Sequence, residues 1–150
     1  MADNTGDKQS NKLDTAKIGA LASVIIVATK AAGEVWEALN KDDRISDQVR
    51  TMVTNLQDAG KKRSPVAALR AQLDEIDRYA TDAQQGKGAR LVREAQAAGW
   101  QARATQIRAK LPLVETMNRR ERGKHLRSLQ TRTRALLNEI LAADLENGVD

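Results

Sequence analysis

The sequence has no cysteine and no phenylalanine, and its 150 residues include a single histidine, a single tyrosine, two tryptophans and two prolines. Without thiols there is no disulfide framework, no thiolate nucleophile and no cysteine zinc site, a usage that fits a reducing compartment. The one histidine, His125, cannot supply a His-x-x-x-His pair or a multi-histidine centre, so no metal and no cofactor is expected. With so few aromatics, the core must be built from Leu, Ile, Val and Ala, which suits helices that approach one another closely. A sandwich or barrel draws on aromatic and β-branched residues and on frequent turn signals, whereas proline occurs only at Pro65 and Pro112. An all-β architecture is excluded.

The patterning that is present has helical period. Ile18, Leu21, Ile25, Ala28, Ala32, Val35 and Leu39 recur in steps of three and four, with Lys30, Glu34 and Glu37 on the other side. This predicts an amphipathic first helix over residues 15–40, capped by Asp14 or Thr15. The apolar run 18–29 covers only 12 residues; a membrane span needs about 20. The mixed charge before that run does not match a secretion signal, so a cytoplasmic location is expected. Residues 1–13 are polar enough to read as a disordered tail, and 14–150 as one helical domain.

The cluster Lys41-Asp42-Asp43-Arg44 offers an acidic cap for a short helix over 44–57, ended by Gly60. Ser64-Pro65 has the cap and first-turn proline of a helix start. Val66, Leu69, Leu73, Ile76, Ala80 and Ala83 then form an unbroken stripe, and Gln85-Gly86-Lys87-Gly88 provides the turn of an antiparallel hairpin over 65–111. In its second arm Leu91, Ala95, Ala98, Ala102 and Ala109 make a narrow face of small residues, with Val92, Trp100, Ile107 and Leu111 roughly opposite. Two apolar faces predict a central helix touched on both sides, with Gly99 marking close packing or a kink and Pro112 ending or redirecting the helix. A break near Gly123 precedes a last helix over 124–146, with Leu126, Leu129, Thr133, Leu136, Ile140 and Ala143 inward. The expected fold is all-α, a helical bundle of about five helices with a central antiparallel hairpin.

The formal charge of +5 conceals an asymmetry. Residues 1–85 carry 12 Lys/Arg and 13 Asp/Glu, net −1; residues 86–136 carry 13 against 3, net +10; residues 137–150 carry four acids and no base, net −4. The densest part contains Arg119, Arg120, Arg122, Lys124, Arg127, Arg132 and Arg134. Guanidinium groups bind phosphate or carboxylate in bidentate fashion, and neutralising phosphates releases counterions, so this block is the candidate polyanion-binding surface. The competing reading is pairing at home, for which Asp74-Glu75-Ile76-Asp77 and Asp144-Leu145-Glu146 are the available acids.

Other motifs are weaker. His125 lacks the Ser or Asp arrangement of a catalytic base. Gly86-Lys87-Gly88 lacks the glycine spacing and following Ser/Thr of a phosphate loop. A basic segment followed by leucines has the order of a leucine zipper, but Gly123 interrupts it and the repeat covers only about three heptads. The expectation is therefore a non-enzymatic helical interaction module whose Arg-rich surface docks on nucleic acid or another polyanion, with a protein partner or a second copy as a further candidate and no small-molecule substrate evident. The alternative is a peripheral membrane protein that inserts Ile18, Leu21, Ile25 and Trp36 and holds anionic lipids with its basic half.

Overall fold

Aliphatic residues at steps of three and four become helices along the chain, and no strand occurs among the described residues. The structure is a computed structural model that describes residues 13–27, 32–62, 64–86 and 94–147, the side chains of 27 and 32–36 excepted. The expected tail, 1–13, falls outside these residues except for Leu13. Six helices are described: α1 Thr15–Val27, α2 Ala32–Lys41, α3 Asp47–Ala59, α4 Pro65–Gln84, α5 Glu94–Glu115 and α6 Arg119–Asn147. The expected count is about five; the segment read as one helix over 15–40 is described as α1 and α2.

Polar caps set most of the starts. Asp14 Oδ1 accepts from the Lys17 amide at 2.9 Å, as expected for α1. Ser64 Oγ accepts from the Ala67 amide at 3.3 Å, with Pro65 in the first turn of α4. Helix α3 differs from expectation: its cap is Ser46, whose hydroxyl accepts from the Val49 amide, and residues 42–45 form a turn closed by Ile45 N–H to Asp42 C=O at 3.2 Å. The acidic cluster does not cap the helix because the Asp42 carboxylate is turned inward. After α4, Gly86 has φ +72, a left-handed conformation that glycine adopts without steric cost. The rest of the predicted hairpin turn, with Leu91 and Val92, lies outside the described residues.

Helices α4 and α5 run antiparallel. Their paired residues ascend on one and descend on the other: Gln84 with Gln101 at 2.6 Å, Tyr79 with Trp100 at 6.3 Å between ring centroids, Asp74 with Arg108 at 2.6 Å, and Arg70 with Glu115 at 2.6 Å. Helix α6 lies along α5 and α1, joined by Arg103–Glu139 and by Arg134 Nη1 to Ser23 Oγ at 3.4 Å. Ile25, Leu56, Leu73, Ile76, Leu137 and Ile140 are among the fully buried side chains of one continuous core. Each contributes about 2 kcal/mol relative to exposure. Within that core the Gln72 amide donates to the carbonyls of Ile25 and Leu56 at 3.2 Å, and to that of Ile26 at 3.4 Å. One buried side chain thus ties α4 to the last turns of α1 and α3.

Three expectations about the second half are corrected. Helix α5 buries one face only, through Ala97, Trp100, Ala104, Ile107, Leu111 and Val114, while Ala95, Ala98, Ala102 and Ala109 are exposed. The larger side chains gain more from leaving water than alanines do, so they take the interior. A β-carbon at Gly99 would meet nothing within 4 Å, so this glycine marks neither close packing nor a forced approach. Pro112 does not end α5, which continues to Glu115. An interior proline costs about 3 kcal/mol, and the burial of Leu111 and Val114, about 2 kcal/mol each, outweighs it. Finally, the break falls at residues 116–118 rather than near Gly123. Asn118 Oδ1 caps α6 by accepting from the Glu121 amide at 2.9 Å, and Gly123 sits inside the helix at a cost of about 1 kcal/mol.

Candidate polyanion interface

The early start of α6 places the whole basic block on one helix of 29 residues. Advancing about 100° per residue, Arg120, Lys124, Arg127, Thr131 and Arg134 fall on a single stripe, in steps of four, three, four and three. The inward face of α6 carries Leu126, Leu129, Thr133, Leu136 and Leu137, so the stripe points away from the core. From Arg120 to Arg134 it extends about 21 Å at 1.5 Å per residue. The leucines that suggested a zipper seam are used inside the chain, and Gly123 does not interrupt the basic stretch.

The seven candidate residues divide by what they touch. Arg119, Arg120, Lys124, Arg127 and Arg132 are exposed and form no ion pair or side-chain hydrogen bond with a described residue. Arg122 instead supports the fold, because its Nη2 donates to the carbonyls of Glu115 and Met117 at 3.2 Å and so covers the end of α5. Arg134 is half-buried and bridges the stripe to α1, donating to Ser23 Oγ and, at 3.0 Å, to Thr131 Oγ1.

The acids expected to neutralise this block, the exposed Glu146 excepted, are committed elsewhere. Asp74 and Asp77 lie against Arg108, at 2.6 and 4.0 Å, and Glu75 holds Arg78 and accepts from the Asn55 side-chain Nδ2 at 2.9 Å. Asp144 is buried at 2% exposure, with Oδ2 accepting from the Ser46 amide and Oδ1 from the Ser46 hydroxyl, both at 2.8 Å. Asp42, equally buried, accepts from the amides of Leu13 and Arg44 at 2.9 and 3.0 Å and from the Arg44 guanidinium at 2.9 and 2.7 Å. Burial pushes the Asp42 carboxyl up, but the Arg44 guanidinium and the two amides more than reverse that push and hold it at about 2. Neither expected acidic partner serves the α6 cations.

Comparison with family models, with curated proteins and with solved structures finds no match.

The electrostatics of the stripe oppose folding. Arg120, Lys124 and Arg127 are like charges at i,i+4 and i,i+3, each pair destabilising by a few tenths of a kcal/mol. They also occupy the first turns of a helix, whose N-terminus already carries partial positive charge, with Glu121 as the acid of the first turn. Any anion placed along this face relieves both penalties. No aromatic side chain accompanies the stripe: Trp100 is buried at 2% exposure and packs against Tyr79, so it is not offered to a stacked base.

The residues expected to contact a membrane or partner are placed differently. Ile18 and Ile25 are buried in the chain's own core and Leu21 packs against it, so this face of α1 is occupied. Trp36 belongs to α2, and its side chain lies outside the described residues. No helix among the described residues is long and apolar enough to cross a membrane, and no group of three or more His, Asp or Glu side chains is disposed there to hold a metal ion. Sequence reading missed the buried polar residues Gln72, Asp42, Ser46 and Asp144, because each is defined by partners up to 98 positions away. It also passed over Lys110 and Arg103, although their spacing with Gln106 places all three on one side of α5.

Proposed function

We propose that the protein is a non-enzymatic docking module that holds the phosphate backbone of nucleic acid against the exposed face of α6. In this reading the antiparallel pair α4–α5 is the centre of a helical bundle, and the bundle serves as a rigid support for the cationic stripe. The observation that carries the proposal is the isolation of Arg119, Arg120, Lys124 and Arg127: four exposed cations within nine residues, none paired with a described carboxylate. A stripe of about 21 Å matches roughly six base pairs of duplex at 3.4 Å each. Phosphate contacts of this kind position a nucleic acid without reading its bases.

The test is a titration of labelled duplex and single-stranded nucleic acid at several salt concentrations. Contact by Arg120, Lys124, Arg127 and Arg134 predicts about four neutralised phosphates and a slope of about −3.6 for log affinity against log salt on duplex. A variant with Arg120, Lys124 and Arg127 changed to Ala is expected to flatten that slope to about −1, with little dependence on base sequence in either protein. Equal and negligible binding by both proteins at low salt removes the proposal.

A further inference from the structure

A groove of about 520 Å³ lies between α5 and α6, away from the stripe. Helix α5 supplies Arg103, Gln106, Ile107, Ala109 and Lys110 to its wall, and α6 supplies Arg132 and Ala135. Two features set it apart from an ordinary seam between helices. The first is its size, which falls in the range of about 300–1,000 Å³ usual for small-molecule sites. The second is its charge. Where two helices pack antiparallel, facing residues of opposite sign are the stable choice, and one end of the groove follows that rule with Arg103 against Glu139. Lys110 and Arg132 break it, since they enter the same groove from opposite walls and neither pairs with a described carboxylate. The same groove is lined by an apolar set, Ile107, Ala109 and Ala135, with Gln106 as a neutral hydrogen-bonding group.

Arg132 projects from a different side of α6 than Arg120, Lys124 and Arg127, so this site does not continue the stripe. We infer that the groove binds a phosphomonoester with a compact apolar body, the phosphate held between Lys110 and Arg132 and the body laid against Ile107, Ala109 and Ala135. The charge complementarity explains both parts. Two cations on facing walls, with no acid in the lining, favour a dianion over a neutral or singly charged group, and the alanines leave space where larger side chains would close the seam. Arg103 stays with Glu139 and bounds the far end.

Nuclear magnetic resonance titration of the full chain tests this, with phenyl phosphate, inorganic phosphate and benzyl alcohol as probes. Phenyl phosphate is expected to shift resonances of Ile107, Ala109 and Ala135 in a saturable way and to bind at least tenfold more tightly than either fragment. Lys110→Ala and Arg132→Ala, both at exposed positions, are expected to weaken it about tenfold each. Ala135→Leu fills the groove and is expected to abolish the advantage of phenyl phosphate over inorganic phosphate. The variant lacking Arg120, Lys124 and Arg127 is expected to bind phenyl phosphate unchanged, which separates failure here from failure of the nucleic-acid reading. Short-chain phosphatidate as a further probe distinguishes a lipid headgroup from a soluble ester as the source of the same chemistry. Shifts that do not saturate, that map to the α6 stripe, or that are insensitive to Lys110→Ala and Arg132→Ala overturn the inference.

Discussion

The two buried carboxylates, Asp42 and Asp144, and the cations at the start of α6 are opposite solutions to carrying charge in a small helical protein. Asp42 and Asp144 have lost their water and hold several donors each, drawn from Leu13, Arg44 and Ser46. Arg119, Arg120, Lys124 and Arg127 keep their water and need no partner from the chain. A buried charge left alone costs several kcal/mol, so the fold must supply donors wherever one is buried. An exposed charge costs almost nothing to leave unpaired, which keeps it available to an outside ligand. The difference teaches that in this chain buried carboxylates with their donors mark architecture, while exposed cations unpaired among the described residues mark the surface proposed for docking.

The largest expected break in that contrast comes from Asp144→Ala. It strands the amide and hydroxyl of Ser46 in the interior and is expected to cost about 3 kcal/mol in chemical denaturation, with Asp144→Asn milder because one acceptor remains. Next is the acid response of Asp42. Its folded pKa of about 2 lies below the ordinary 3.8, so its contribution is fully present above pH 4 and is lost as the pH falls from about 4 to about 2. The shift corresponds to about 2 kcal/mol. Thermal melts across that window should show the wild type losing this increment and an Asp42→Asn variant, already weaker at neutral pH, losing less. The smallest effect belongs to the stripe: changing Arg120, Lys124 and Arg127 to Ala is expected to leave stability unchanged or raise it by up to about 1 kcal/mol, since it removes like-charge pairs and an unfavourable helix-end charge. A large loss of stability in that variant contradicts the picture of an unpartnered surface.

Much of the all-helical character was legible in advance because helical period leaves a direct trace in spacing. The stripe of α4 is an example: Val66, Leu69, Leu73, Ile76 and Ala80 are all buried as their spacing predicts. Ser64 and Pro65 were readable for the same local reason. The errors arose where local signals compete with burial. Pro112 and Gly123 are strong punctuation, yet both lie within helices, since a penalty of one to a few kcal/mol is smaller than the gain from keeping Leu111, Val114 and Leu126 in the core. The exposed alanines of α5 show the same limit, because their pattern could not say which of two faces the rest of the chain would cover.

For the candidate site, spacing alone determined that Arg120, Lys124, Arg127 and Arg134 share a side of any helix that contains them, and composition determined that their neighbourhood is basic. Whether that side stays bare was decided by tertiary structure, which sent Asp74 and Asp77 to Arg108 and Asp144 to Ser46. The physical reason is range: helical periodicity is set by residues three and four apart, whereas neutralisation and burial depend on contacts between segments distant in the chain.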